Sequence, residues 1–258
     1  MVSSVPVSSL KPWVSLGAAL VFLVRHPKLV LVSLLLIGST VLFTWLGLYL
    51  TLDLVDMLTG NFFSQPPAVD HLWEYPLVWG WYVLDWLYLF ISRVILFYLA
   101  FLLAYSLTSP GYTFLSFLAG NQYTGTVPDG EAALTLSGFC VDMWEGCKIA
   151  LVGIVVAVVA LVVNFIPVFG QLSVFLIYIF YSTLLFIDFP CSRYRWSLGR
   201  KIAWIGENRG AAFRLGLLPA LVSMIPIVNI FFLALLFPLF TVHTTLNYLT
   251  IEGRMPSG

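Results

Sequence analysis

The chain has 258 residues, of which 60% are hydrophobic and 9% are charged, with 12 Lys and Arg against 12 Asp and Glu. Soluble domains carry about 25% charged residues, so this composition argues against a soluble protein and indicates an integral membrane protein. The balanced charge provides no positive field for nucleic acid, and the three cysteines and three histidines show no metal-ligand spacing.

The N-terminal region predicts an interfacial helix over residues 11–26. Its apolar stretch from Trp13 to Val24 has 12 residues, whereas a bilayer core takes about 20 helical residues. Pro27 is well placed to begin a new helix, because its missing N–H costs nothing in the first turn. The uncharged run over residues 29–50 then predicts the first transmembrane helix.

An acidic loop and a second apolar segment follow. Residues 51–75 contain Asp and Glu but no Lys or Arg, together with the loop-forming Gly and Pro. Residues 77–107 predict the second transmembrane helix, with a stop at Ser109-Pro110-Gly111. Inside this span we expect Asp85 to lie near the outer surface. Arg93 lies deeper, and is either a functional charge or bonded to a structural partner such as a helix-end carbonyl.

Two later apolar runs, residues 149–187 and 215–249, lack Asp, Glu, Lys and Arg, and each is broken by an Ile-Pro pair, in NFIPVFGQ and SMIPIVN. Each run predicts a helical hairpin that enters and leaves the membrane on one side. The arm before Pro226 has 11 residues, about 16 Å of helix, so we expect this hairpin to penetrate only half of the membrane. The shared motif extends that expectation to the first hairpin; ordinary tight turns outside the bilayer are the alternative.

The hairpin tips are candidate pore elements. A backbone break in hydrocarbon leaves N–H and C=O groups that must find partners, and Asn164, Gln171 and Asn229 can supply them. The helices that restart at Gly170 and Asn229 also offer N–H groups to an anion. Repeated broken helices of this kind are typical of a transport site. The candidate pore or tip residues are Asn164, Pro167, Gly170, Gln171, Pro226, Asn229 and Arg93.

Positive charge predicts the orientation of the chain. Residues 193–214 contain six Lys and Arg, and the first 28 residues contain three. The positive-inside rule therefore places both termini and the basic segment over residues 188–214 in the cytoplasm. This segment is either an orientation determinant that contacts anionic lipids or a vestibule for anions.

Five motifs occur in order between residues 13 and 250: HPKLV, LTSPGYTFLSFLAGNQYTG, NFIPVFGQ, DFPCSRYRW and NRGAAFRLGLLPALVSMIPIVN. Together they resemble the CysZ sulfate permease family, the bacterial branch of the etoposide-induced-protein domain. The resemblance implies one all-α membrane domain over residues 1–258, with an interfacial helix, two transmembrane helices and two half-penetrating hairpins. It also implies assembly into homo-oligomers.

The resemblance implies uptake of sulfate or a related small oxyanion across the bacterial inner membrane for cysteine synthesis. Uptake would be passive or gradient-driven, with no cofactor. In that family paired arginines follow the proline after the first helix, and the matching positions here are Lys28 and Leu29. With Arg25 and His26 they form the candidate anion-binding set. The alternatives are interfacial anchoring for Arg25 and Lys28 and helix capping for His26.

The competing function is a non-transporting membrane scaffold or assembly protein with the same fold. An enzyme is not expected, because the sequence contains no GxSxG, HExxH or phosphate-binding Gly-Lys-Ser motif. Sulfate uptake into vesicles distinguishes the two functions that remain.

Overall fold

The computed structural model describes residues 13–59, 75–125, 136–167, 169–224 and 226–253. Within these residues the regular structure is entirely α-helical, and four helical segments are long and apolar enough to cross a membrane: Pro27–Leu50, Tyr75–Phe97, Cys140–Val163 and Phe169–Ser192. The predicted all-α membrane fold is confirmed. The helices in chain order are α1 (Leu16–Arg25), α2 (Pro27–Thr59), α3 (Tyr75–Thr124), α4 (Leu136–Val163), α5 (Phe169–Ser192), α6 (Leu198–Glu207), α7 (Arg209–Ser223) and α8 (Pro226–Ile251).

By packing, the chain divides into two compact units, residues 1–37 with 108–258, and Gly38–Leu107. The smaller unit pairs the second half of α2 with the first half of α3. Gly47 allows these helices to approach closely, since a Cβ at this position would lie 3.2 Å from Cβ of Ala100. Small residues at such contacts are typical of membrane helices. The single membrane domain over residues 1–258 stays a prediction.

Capping and proline residues set the start of α1 and the boundary between α1 and α2. Ser15 caps α1 by accepting a hydrogen bond from the Ala18 N–H at 3.2 Å. His26 is extended, and Pro27 then opens α2, as predicted. Part of the predicted helix over residues 11–26 lies outside the described residues, but the 10 residues of α1 are too short to cross a bilayer.

The predicted stop at residues 109–111 is wrong. α3 continues through Pro110 to Thr124 and ends at Gly125, whose φ of 70° suits a residue just past a helix. A proline inside a helix removes one hydrogen bond, yet a buried stripe continues on both sides of it, through Tyr105, Thr108, Tyr112 and Leu115. Burial of this stripe overrides the local stop signal. The loop predicted from Thr51 is also displaced, because α2 extends to Thr59.

The core of the larger unit surrounds the C-terminal half of α8, where residues 237–249 are all buried. Phe237 contacts Tyr112 of α3 and Phe186 of α5, with both ring-centroid distances at 4.6 Å. Threonine side chains inside this helix donate to the carbonyl four residues earlier, as Thr241 does to Phe237 and Thr245 to Thr241. These local bonds satisfy polar groups that could not reach water.

Both Ile-Pro motifs break a helix, as predicted, and α4 packs on α5 as α7 packs on α8. The arm before Pro226 is longer than predicted because α7 begins at Arg209; its 15 residues reach about 22 Å, still short of a core about 30 Å thick. α4 and α5 have 28 and 24 residues. Their lengths fit a complete crossing, so length alone does not require half-penetration of the first hairpin. The basic segment is not a loop, since α6 lies within it.

Candidate functional site

The joint between α1 and α2, residues 25–29, collects the candidate anion-binding residues at the N-terminal end of a helix. Arg25 lies in the last turn of α1 and Lys28 in the first turn of α2, and both side chains are exposed. Leu29 is fully buried and anchors the start of α2. The His26 carbonyl accepts hydrogen bonds from the N–H groups of Leu29 at 2.9 Å and Val30 at 3.2 Å. The amide of Leu29, a predicted anion contact, is therefore already used within the protein.

His26 has a defined tautomer. Its Nδ1 lies 2.7 Å from the Phe22 carbonyl oxygen, and its ring lies 4.4 Å from the Phe22 ring. Because a carbonyl oxygen only accepts, Nδ1 carries the proton in this bond. The other nitrogen, Nε2, accepts in the neutral ring and donates only when the ring is protonated. His26 thus offers an anion a donor only in its charged form.

The two cations at the joint have no acidic partner within the residues that the structure describes. Lys28 lies at the positive N-terminal end of α2 and Arg25 in the last turn of α1, and exposed cations without acidic partners favour an anion over a cation. This arrangement fits a small oxyanion held by mobile charged side chains. A rigid cage of backbone amides is not supported, because the amides of Leu29 and Val30 are committed.

Within the described residues of the first hairpin tip, 164–167 and 169–171, five backbone N–H groups donate to nearby carbonyls. The N–H groups of Asn164, Phe165 and Ile166 donate to carbonyls of residues 160, 162 and 163, at 2.9, 3.3 and 3.0 Å. Beyond Pro167, Phe169 donates to the Pro167 carbonyl and Gly170 to the Ile166 carbonyl, at 2.7 and 2.9 Å. The Gly170 amide that was predicted to face an anion is therefore committed. Local pairing of this kind is what a turn in hydrocarbon needs.

The side chains of this tip point outward. Asn164, Pro167 and Gln171 are exposed, and so are the neighbouring Phe165 and Phe169, at 81% and 75%. Large exposed aromatic groups on a self-satisfied turn suit an apolar surrounding. The exposed amide groups of Asn164 and Gln171 are the polar groups that this tip offers to a ligand or a neighbouring chain.

Gly170 has a structural role that can be tested. A Cβ at this position would overlap the carbonyl oxygen of Val163 across the turn. We expect Gly170→Ala to lower the free energy of unfolding by about 1–2 kcal/mol, in the range of other overpacking changes. Thermal unfolding in detergent measures the effect. The matched control is Gly38→Ala, also in a helix but with no atom within 4 Å of the added Cβ; equal midpoints for the two variants would contradict this role.

The remaining candidates do not join these groups. Pro226 begins α8, but its side chain and that of Asn229 lie outside the described residues. Arg93 lies in the smaller unit, in α3, and is exposed. No hydrogen bond or ring contact among the described residues links the α1–α2 joint to the first tip. The structure brings together Arg25, His26, Lys28 and Leu29 as one local set, and leaves the tip residues as another.

A buried ion cluster was missed by the sequence reasoning. Lys201 on α6 is fully buried, and its Nζ lies 2.7 Å from Oδ1 of Asp188 on α5 and 3.3 Å from Oε2 of Glu145 on α4. Burial lowers the pKa of Lys201, but the two carboxylates raise it more, so that its net pKa lies above the usual 10.5. At the edge of the cluster Lys148 pairs with Glu145, and Arg195 with Asp142. The cluster ties α4, α5 and α6 together.

A small pocket beside Arg193 is lined by this arginine and by three side chains that carry hydroxyl groups, two of which have their protons committed within the protein. It is lined by Ser116, Phe117, Gly120, Phe189, Pro190, Arg193, Tyr194, Thr245 and Leu249. Thr245 donates its hydroxyl proton to the Thr241 carbonyl, and Ser116 then donates to Thr245 Oγ1 at 2.7 Å. The hydroxyl protons of Ser116 and Thr245 are therefore not available to a ligand, and one guanidinium N–H of Arg193 is bonded to Asn121 Oδ1.

Comparison with known proteins agrees with the resemblance seen in the sequence. The family described as "Sulfate transporter CysZ/Etoposide-induced protein 2.4" matches residues 15–234, which contain the joint, the first tip, the ion cluster and the start of α8. No curated protein matches the chain. Because the family covers most of the chain, from α1 into α8, this membrane protein belongs to the sulfate transporter CysZ/etoposide-induced protein 2.4 family.

Proposed function

We propose that the chain is a permease for sulfate or a related small oxyanion, passive or gradient-driven, and that the α1–α2 joint is where the anion first binds. The observation that carries the proposal is the pair of exposed cations, Arg25 and Lys28, without acidic partners among the described residues and at the N-terminal end of α2. Family membership supports the same substrate class.

The chemistry of the joint suits a dianion that must also be released. Lys28 is a flexible point charge without the two-pronged geometry of an arginine pair, so it gives attraction with modest directional selectivity. Arg25 adds a second charge from the preceding helix. Protonated His26 adds a donor through Nε2, because Nδ1 is held by Phe22. We infer that affinity is moderate and that selectivity among oxyanions is broad.

The proposal places the chain in a bacterial inner membrane, with both termini in the cytoplasm and the anion delivered to sulfur assimilation. It also includes a homo-oligomer. In this scheme Asn164 and Gln171 contact the anion or water at the first tip, which Gly170 and Pro167 shape. Arg93 is a separate candidate contact within the smaller unit. No catalytic step is assigned to the chain.

Uptake of labelled sulfate into proteoliposomes tests the proposal. We expect uptake above that of empty vesicles, and a decrease of about tenfold at subsaturating sulfate for Lys28→Gln, because a charge-assisted contact contributes about 1.5–3 kcal/mol. The double variant R25Q/K28Q should lower uptake further than Lys28→Gln does. The matched control is Lys148→Gln, which removes a half-exposed lysine that pairs with Glu145 on α4.

One outcome would contradict the permease, and another would contradict its binding site. Uptake equal to that of empty vesicles for sulfate, selenate and phosphate would favour the non-transporting scaffold. Uptake that is equally sensitive to Lys148→Gln and Lys28→Gln would remove the anion site from the α1–α2 joint.

A further inference from the structure

The basic segment carries arginines that the ion cluster does not use. Residues 193–214 hold six of the chain's 12 Lys and Arg, and Glu207 is the one acidic residue in this stretch of sequence. Lys201 and Arg195 pair with acidic groups of α4 and α5. In the part of the chain that the structure describes, no acidic group lies within ion-pair distance of the others: Arg193, Arg200, Arg209 and Arg214.

These arginines are held in place by neutral groups. The guanidinium of Arg200 lies 4.2 Å from the centre of the Trp196 ring, and that of Arg214 lies 5.7 Å from the centre of the Trp13 ring. Arg209 donates from Nε to the Gly206 carbonyl at 3.1 Å. Stacking occupies the face of a guanidinium and leaves its in-plane N–H donors available. The charges are thus positioned without being neutralised, as a site for an anionic group requires.

The same segment of the chain also exposes apolar side chains. Ile202 on α6 and Phe213 on α7 are 51% and 37% exposed, close in sequence to Arg200 and Arg214. A free oxyanion has no apolar part that would contact them. The segment also follows directly on the membrane-length helix Phe169–Ser192, so it begins where that helix ends. Arginine donors with exposed apolar residues at the end of a membrane helix suit a phospholipid at the interface.

We propose that residues 193–214 form a binding surface for anionic phospholipids, with Arg200, Arg209 and Arg214 contacting the headgroup phosphate. Ile202 and Phe213 contact the acyl region, and Trp196 and Trp13 hold two of the guanidinium groups. This inference does not depend on sulfate transport, because its ligand and its residues differ from those at the α1–α2 joint.

Native mass spectrometry of the purified protein in micelles with equal amounts of phosphatidylglycerol and phosphatidylcholine tests the proposal. We expect the wild-type chain to retain phosphatidylglycerol preferentially. Each basic residue near an anionic surface changes lipid affinity about fivefold, so R200Q/R209Q/R214Q should lose roughly 100-fold in relative affinity. R209Q alone, whose side chain bonds the Gly206 carbonyl and no other group among the described residues, should lose about fivefold without disturbing the fold.

The matched control for R209Q is K148Q, which removes one cation outside the segment that is already paired with Glu145 and should keep the wild-type lipid preference within about twofold. Three results would overturn the proposal. The first is that R200Q/R209Q/R214Q and R209Q retain phosphatidylglycerol as well as the wild-type chain does. The second is that the control loses as much phosphatidylglycerol as these variants. The third comes from thermal unfolding, if inorganic phosphate raises the unfolding midpoint of the wild-type chain as much as phosphatidylglycerol does. The last result would assign the arginines to a free anion.

Discussion

Replacing Lys201 with Met should lower the free energy of unfolding by about 3–5 kcal/mol, the cost of removing one partner from a buried ion pair. The Lys201 side chain is fully buried and the Asp188 side chain is 1% exposed, with 2.7 Å between Nζ and Oδ1. Oδ2 of Asp188 has no hydrogen-bond partner among the described residues. Without the lysine, the Asp188 carboxylate would stay buried with neither a counter-ion nor water.

Two further variants separate this charge effect from a loss of packing. In D188N/K201M no buried charge is left at that pair, so a large part of the lost stability should return. Lys148→Met removes a lysine that pairs with the same Glu145, but its side chain is 39% exposed, so we expect a loss below about 1 kcal/mol.

Reversible unfolding in detergent, followed by tryptophan fluorescence, measures these free energies. The pair is not coupled if K201M is as stable as wild type. It is also not coupled if the stability lost by D188N/K201M equals the sum of the stability lost by D188N and by K201M separately. The favourable contribution of Lys201 should persist through neutral pH. Because its pKa is raised above 10.5 in the folded protein, this contribution is complete at neutral pH, where the carboxylates are charged, and is lost on the alkaline side only as the pH rises through the raised value.

Element types were predictable because apolar runs determine helices in a membrane protein. Pro27 and the two Ile-Pro pairs mark helix starts and breaks in the structure. Pro110 was misread because the stop signal is local, whereas the buried stripe that continues α3 depends on contacts with α5 and α8, as between Tyr112 and Phe237. A single proline costs less than the burial of that stripe gains.

The placement of candidate residues was predictable where charge and helix ends coincide along the chain, as at Arg25 and Lys28. The ion cluster was not, because Glu145, Asp188 and Lys201 are separated by 43 and 13 residues in the sequence and meet only when α4, α5 and α6 pack. The sequence also could not show that the N–H groups of Gly170 and Leu29 donate to carbonyls within the protein. A break in a helix indicates unpaired N–H groups, but only the folded turn shows which carbonyls accept from them.

Gly216 on α7 should be as intolerant of substitution as Lys201. A Cβ at this position would overlap the carbonyl oxygen of Ile179 and the hydroxyl of Thr183, both on α5. The Thr183 hydroxyl also lies 2.5 Å from the Ala212 carbonyl, a bond that joins the two helices. Because backbone atoms cannot move aside as a side chain can, an added side chain must separate α5 from α7, which destabilises the folded state.

We therefore expect Gly216→Ala to cost about 1–3 kcal/mol of unfolding free energy, and Gly216→Leu about 3 kcal/mol or more, since the larger side chain also breaks the Thr183 bond. Gly210→Ala in the same helix is the matched control, because no atom lies within 4 Å of its added Cβ. That change should be neutral or stabilise by up to about 1 kcal/mol, as alanine is the better helix former. The two alanine substitutions in one helix should therefore change the unfolding free energy in opposite directions, and this difference tests the packing of α7 on α5. A Gly216→Ala variant that gains stability would mean that α5 and α7 do not meet at this point.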